Sequence, residues 1–237
     1  MTQRAFITVL LACLAASMTA VPAVGAAANQ LTAAEKAAGW KLLFDGQSTT
    51  GWRCFKKTTF PAKGWRVEDG WLHCLGQDGG DIITDAEFDS FEFSWEWRLA
   101  AGGNSGVKYL VTETRSGPTA HEYQMIDDAQ NDDAKLRNGR RVTASFYDVL
   151  KPVGAKLSPM GQVNQSRIVV RGGRVEHWLN GAKVLDYECG SDALKAAIAD
   201  SKFKSTPGFG HKIKGHVLLQ DHHCDVWFRH LKVRELQ

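Results

Sequence analysis

The stretch FEFSWEWRL, Phe91 to Leu99, decides the fold. Phe91, Phe93, Trp95, Trp97 and Leu99 alternate with Glu92, Ser94, Glu96 and Arg98, a period of two held over nine residues. That is the pattern of a β-strand with one apolar and one polar face. Downstream, Val107, Tyr109 and Val111 alternate with Lys108 and Leu110, and Glu122, Gln124 and Ile126 alternate with His121, Tyr123 and Met125. Arg167 to Arg171 and Val175 to Leu179 read as strands around Gly172-Gly173, and the Asn180-Gly181 turn precedes a further strand, so two hairpins follow one another. Gly215 to Gln220 and Asp225 to Val233 supply the last strands.

Helical signals are few. Thr32 and Glu35 form a capping box, Leu31 can staple the start and Gly39 ends a short helix, while Ser191 caps a second helix through about Ala199. Many short strands, glycine-rich turns and two short helices predict an all-β jelly-roll sandwich.

The first 28 residues carry one positive residue, Arg4, an apolar run from Ala5 to about Val21, and small residues at the end. They read as a cleaved secretory signal, which predicts an exported protein, periplasmic or extracellular. Ser17, Thr19 and Pro22 interrupt the run, which argues against a permanent membrane anchor, and apolar sequence continuing past Cys13 argues against a lipid-attachment site. Residues 29 to 237 then form one domain. Losing Arg4 takes the formal charge from +3 to +2, a balance that disfavours nucleic acid as a partner. Cys54, Cys74, Cys189 and Cys224 remain, separated by 19, 114 and 34 residues, spacings that match no zinc site; two disulfides and buried thiols both stay open.

Three segments carry polar chemistry. The glycine-rich turn after Leu99 bears Asn104 and Ser105, and it lacks the following helix and Lys-Ser/Thr ending of a phosphate loop. It reads as a hairpin turn, or as a turn that also lines a site. HEYQMIDD, His121 to Asp128, puts Glu122 and Gln124 on one strand face about 6.6 Å apart; the same alternation also suits a solvated face. His222 and His223 would point to opposite faces of a strand, so they are poor joint ligands for one metal. Glu92 and Glu96, roughly 13 Å apart on one strand, are too distant for a two-carboxylate glycosidase, which needs ~5 to 9.5 Å. Glu122 with Glu96 from another strand is the alternative pair.

FDGQSTTGW (Phe44 to Trp52), GNSGVKY (Gly103 to Tyr109), HEYQMIDD, VEHWLNG (Val175 to Gly181), LLQDHH (Leu218 to His223) and VWFRHLKV (Val226 to Val233) occur in an order and spacing that resemble the 3-keto-disaccharide hydrolase domain family over about Trp40 to Leu236. His223 stands where the family often has Gly. GQVN, Gly161 to Asn164, stands where it often has GEWN. The resemblance implies a concanavalin A-like lectin/glucanase sandwich, bacterial export, and cleavage of glycosides already oxidised to a ketone at carbon 3. Such chemistry needs a base for the proton on carbon 2, a stabiliser for the enolate oxygen and polar groups to orient the ring. Under that implication Glu122 is the base and Lys108, aided by Arg98, the positive partner of the enolate. Asn104, Gln124, Asp128 and Tyr147 contact sugar hydroxyls, and His222 serves as acid or alternative base. No cofactor is assigned, and a divalent metal ion on Glu122, Asp127 or His222 could replace Lys108. Two rival readings are a lectin-like module with Trp65, Trp71 or Trp178 stacked on sugar faces, and an ordinary two-carboxylate glycosidase.

Overall fold

The computed structural model describes residues 28–237, so the signal segment falls outside the described residues but for its last position. Among the described residues thirteen strands build two antiparallel sheets. The larger sheet holds β1 (Lys41–Leu42), β3 (Trp65–Glu68), β4 (Trp71–Leu75), β6 (Phe91–Leu99), β9 (Asn164–Arg171), β10 (Arg174–Leu179), β11 (Ala182–Glu188) and β13 (Asp225–Glu235). Its order is β11-β10-β9-β6-β13-β4-β3, with β1 on β13. The smaller sheet runs β2 (Trp52–Cys54), β5 (Ile82–Thr84), β12 (His216–Leu219), β7 (Asn104–Val111), β8 (His121–Ile126). The two form the expected jelly-roll sandwich.

Local signals explain the flanking elements. Helix α1 (Ala33–Ala37) starts with both capping-box bonds from Thr32 and Glu35, and α2 (Asp192–Ala199) starts where the Ser191 hydroxyl accepts the Leu194 N–H. Both expected hairpins occur, β9-β10 and β10-β11. The glycine-rich turn after β6 is not a hairpin: it carries the chain from one sheet to the other, because β6 pairs with β9 and β13 while β7 pairs with β8 and β12.

The apolar phase of β6 fills the space between the sheets. Phe93 stacks on Trp95 at 5.1 Å and Trp95 meets Tyr123 of the facing sheet edge-on at 5.0 Å. The Trp97 indole N–H donates to Ser166 Oγ at 2.8 Å, and the Ser166 hydroxyl donates to the Tyr123 oxygen at 2.9 Å, so this chain of polar atoms is satisfied across both sheets, while the Trp95 indole N–H has no partner among the described residues. All four described cysteines are free thiols, buried or half-buried, which decides between the two readings left open. Trp65 packs in the core against Phe228, not against solvent.

Two core histidines give the fold an acid limit. His121 and His177 are buried around the Tyr109 and Tyr187 hydroxyls, with His121 Nδ1 2.6 Å from Tyr187 and His177 Nε2 2.8 Å from Tyr109. Desolvation lowers His121 to about 3 and His177 to about 4. Their folded values lie below the unfolded value of ~6.5, so their stabilisation is complete above that value and is lost as the pH falls toward 3 to 4. The midpoint of urea unfolding is therefore expected to fall steadily from pH 7 to pH 4.

Candidate active site

Strands β7 and β8 are buried on both faces. Their inner residues, Val107, Tyr109, Tyr123 and Met125, face the core. Their outer residues are roofed by two loops, one around Tyr147 and one after α2. Between sheet and loops lies an open cavity of about 260 Å³, just below the ~300–1,000 Å³ usual for small-molecule sites. Asn104, Lys108, Glu122 and Gln124 form its floor, Tyr147, Lys202 and Phe203 enter from the loops, and Gln220 and His222 close it beyond β12.

The floor is set by register. Lys108 lies directly opposite Glu122, and Gly106 opposite Gln124. Lys108 is 9% exposed and Glu122 7% exposed, and neither side chain makes a hydrogen bond or ion pair within 4 Å among the described residues. Burial raises the Glu122 carboxyl above the ordinary range, and the charges of Lys108 and Lys202 only partly oppose this. A buried carboxyl with no hydrogen-bond partner and a raised pKa, placed in a cleft, is a candidate for proton-transfer chemistry. The Gln124 amide N–H donates to Asn104 Oδ1 at 3.1 Å, which leaves Gln124 Oε1 buried without a partner; Gln220 Oε1 is likewise unpartnered. Both are acceptors free for hydroxyl donors.

Gly106 makes room for the Glu122 carboxylate. A Cβ placed there would lie 2.8 Å from Glu122 Oε1. Gly106→Ala is expected to fold, because the obstacle is the end of a side chain, and to lower kcat/KM by about 10²-fold through displacement of the carboxylate.

The loops are held by a buried acid. Asp148 Oδ1 accepts from Arg141 Nε at 2.6 Å and Asp148 Oδ2 accepts the Lys202 backbone N–H at 2.7 Å, so one carboxylate ties the two loops together. Arg141 also donates to Asp133, whose other oxygen accepts the Tyr147 hydroxyl at 2.9 Å. Asp148→Ala leaves these donors unpaired and should cost about 1–3 kcal/mol in urea unfolding, with a loss of activity measured on the remaining folded protein.

Of the residues expected from sequence, Lys108, Asn104, Glu122, Gln124, Tyr147 and His222 come together in this cavity. Arg98 does not. It lies on the outer face of the larger sheet, its guanidinium 5.0 Å from the Trp71 ring and 4.6 Å from the Trp227 ring. Strand alternation had assigned it the polar phase of its own strand, and that strand belongs to the other sheet. Asp128 is also absent: its carboxylate accepts the Thr143 N–H at 2.8 Å and anchors the start of the roofing segment. Asp127 accepts the N–H groups of Gly102, Ala129 and Gln130, which outweigh burial and lower its pKa. Of the three side chains offered to a divalent ion, Glu122, Asp127 or His222, Asp127 is thus engaged by backbone N–H groups, and no group of three metal-ligating side chains gathers among the described residues.

Glu96 is paired with Arg229 on the outer face of the larger sheet, so it is no partner for Glu122. Trp71 packs under the Arg98 and Arg229 guanidiniums, and Trp178 under Arg167. Lys202, Phe203 and Gln220 were missed, as was Asp81, a carboxyl whose charge acts on Glu122. Gln220 lies inside LLQDHH and carried a signal; Lys202 and Phe203 lie on a loop without periodicity.

Fold and cavity define the class: a jelly-roll sandwich whose smaller sheet carries a roofed polar cleft for a small polar ligand. Within that class the chain belongs to the 3-keto-alpha-glucoside-1,2-lyase-like domain family, whose profile it matches over residues 39–234. It is therefore a carbohydrate-active protein. A Bacteroides thetaiotaomicron protein named 3-keto-disaccharide hydrolase is 34% identical over 229 residues, covering 84% of this chain and 79% of its own. A Parabacteroides distasonis crystal structure, described as a candidate glycosyl hydrolase, superposes with a TM-score of 0.82 at 34% identity, over 89% of this chain and all of that one. A second structure from the same organism shares the fold at a TM-score of 0.65 and 24% identity, over 83% of this chain and 99% of its own.

Proposed function

We propose that this protein is an exported hydrolase that cleaves 3-keto-glycosides, including 3-keto-disaccharides, by elimination followed by hydration. The observation that carries the reading is the register pair Lys108 and Glu122: a buried carboxyl with no ionic partner beside a buried ammonium, on the floor of the cavity. A ketone at carbon 3 acidifies the proton on carbon 2. Glu122 removes that proton, and the electron pair moves toward the carbon 3 oxygen, where Lys108 stabilises the enolate charge. The pair then returns to form the carbon 1 to carbon 2 double bond and expels the oxygen on carbon 1. Water adds to carbon 1 while carbon 2 regains a proton, so the sum is hydrolysis. Gln124 Oε1, Gln220 Oε1, Asn104 and Tyr147 orient the ring hydroxyls, and His222 stands at the exposed rim. The Bacteroides relative's name supports the substrate class, and the signal-like first 28 residues support export.

Aglycone release from a glucoside and from its 3-keto derivative tests the reading. Release from the keto sugar alone is expected. Binding of both without release would point to a lectin-like module instead. Asp81, half-buried, with a charge that acts on Glu122 and a pKa itself raised by desolvation, favours an ordinary two-carboxylate glycosidase as the second reading, and release from the unoxidised glucoside would establish it.

A further inference from the structure

Lys202 is a cation in the cavity that the steps above do not use. It enters from the loop after α2, facing the sheet floor that bears Glu122 and Lys108. Its ammonium lies 4.1 Å from the centre of the Tyr147 ring and 5.1 Å from that of Phe203, and its side chain makes no ion pair within 4 Å among the described residues. Its backbone is fixed by Asp148. The side chain is thus held over the floor by one buried anchor and two aromatic faces, and it is not neutralised.

The reaction has one unmet need. An alkyl or sugar oxygen leaves carbon 1 as a strongly basic alkoxide unless a proton reaches it as the bond breaks. Carbon 2 is flanked by carbon 3 on one side and carbon 1 on the other. Glu122 acts at carbon 2, and Lys108, its cross-strand neighbour, acts at the carbon 3 oxygen. The leaving oxygen therefore needs a donor that comes from elsewhere than this floor pair. We propose that Lys202 is the general acid that protonates the departing carbon 1 oxygen, an inference that rests on the elimination reading above.

The step balances. The carbon 1 to oxygen bond breaks, its electron pair takes a proton from the Lys202 ammonium, and a neutral alcohol and a neutral amine result. Water then attacks carbon 1 and gives its proton to that amine, while the Glu122 carboxyl, after exchanging its proton with solvent, delivers a proton to carbon 2. Both groups regain their starting states. Burial lowers the Lys202 pKa, in the direction that makes an ammonium a better proton donor near neutral pH.

The test compares Lys202→Met with the parent protein on two 3-keto-glucosides, one carrying 4-nitrophenolate and one carrying methoxide as leaving group. Nitrophenolate leaves without a proton; methoxide does not. The variant is expected to lose about 10²–10⁴-fold on the methyl glycoside, to stay near the parent rate on the nitrophenyl glycoside, and to keep deuterium exchange at carbon 2. Should Lys202→Met fail to fold, Lys202→Arg carries the same comparison, since arginine keeps the charge but not the transferable proton. Equal losses on the two substrates, with exchange intact, would overturn the role of Lys202 and leave the elimination reading standing. A parent protein that cleaves without exchange at carbon 2 would refute that reading and this proposal with it.

Discussion

Glu122→Gln is expected to lower kcat/KM on a 3-keto-glycoside by about 10²–10⁴-fold, the usual worth of a general base, while the protein stays folded and gains stability at neutral pH. The two effects share one cause. Burial holds the folded carboxyl pKa above its ordinary value, so the favourable contribution of the protonated acid is complete below the unfolded value of ~4.3 and is lost as the pH rises through the folded value. Above its folded pKa the wild type holds an ionised group where the fold prefers a neutral one, and glutamine relieves that cost. Activity runs the other way: the base works only when ionised, so kcat/KM should fall as the pH drops through a pKa above the ordinary carboxylate range. Urea melts of wild type and variant at pH 7, with a pH profile of the wild type, check both signs.

The second large effect separates two cations that strand alternation treats alike. Lys108→Met removes the charge opposite Glu122 and is expected to cost about 10²–10³-fold in kcat, the loss seen when one stabiliser of a developing oxyanion is removed. Arg98→Met removes a guanidinium clasped between Trp71 and Trp227 on the opposite side of the sandwich. It should leave kcat unchanged and cost about 1–2 kcal/mol of stability. Loss of activity in both variants, with unchanged melts, would mean that Arg98 reaches the site.

The contrast between Arg98 and Lys108 marks how far the sequence is legible. The period-two run Phe91 to Leu99 announces a strand and tells which of its residues share a face. It does not tell which sheet the strand joins, because register and sheet order arise from contacts between distant segments, such as Trp227 opposite Arg98. Lys108 and Glu122 were recoverable because both lie in strongly alternating strands that prove to be neighbours. The local capping signals at Thr32 and Ser191 were likewise readable, since each acts within three residues.

The roof was not readable. HEYQMIDD fits a solvated strand face as well as a site floor, and what buries Glu122 is a loop anchored through Asp148 to Lys202, 54 residues further along the chain. Nothing periodic marks those loops. Asp127 and Asp128 mislead for a related reason: a carboxylate at the end of a strand serves backbone N–H groups as readily as a ligand, and here both do so.

Deuterium at carbon 2 tests the central claim most directly. A 3-keto-glucoside incubated with the protein in heavy water, followed by NMR of recovered substrate and product, is predicted to carry deuterium at carbon 2 with wild-type protein and to lack enzyme-dependent exchange with Glu122→Gln. Cleavage of the keto sugar with carbon 2 still fully protonated, or exchange that survives unchanged in Glu122→Gln, would contradict it.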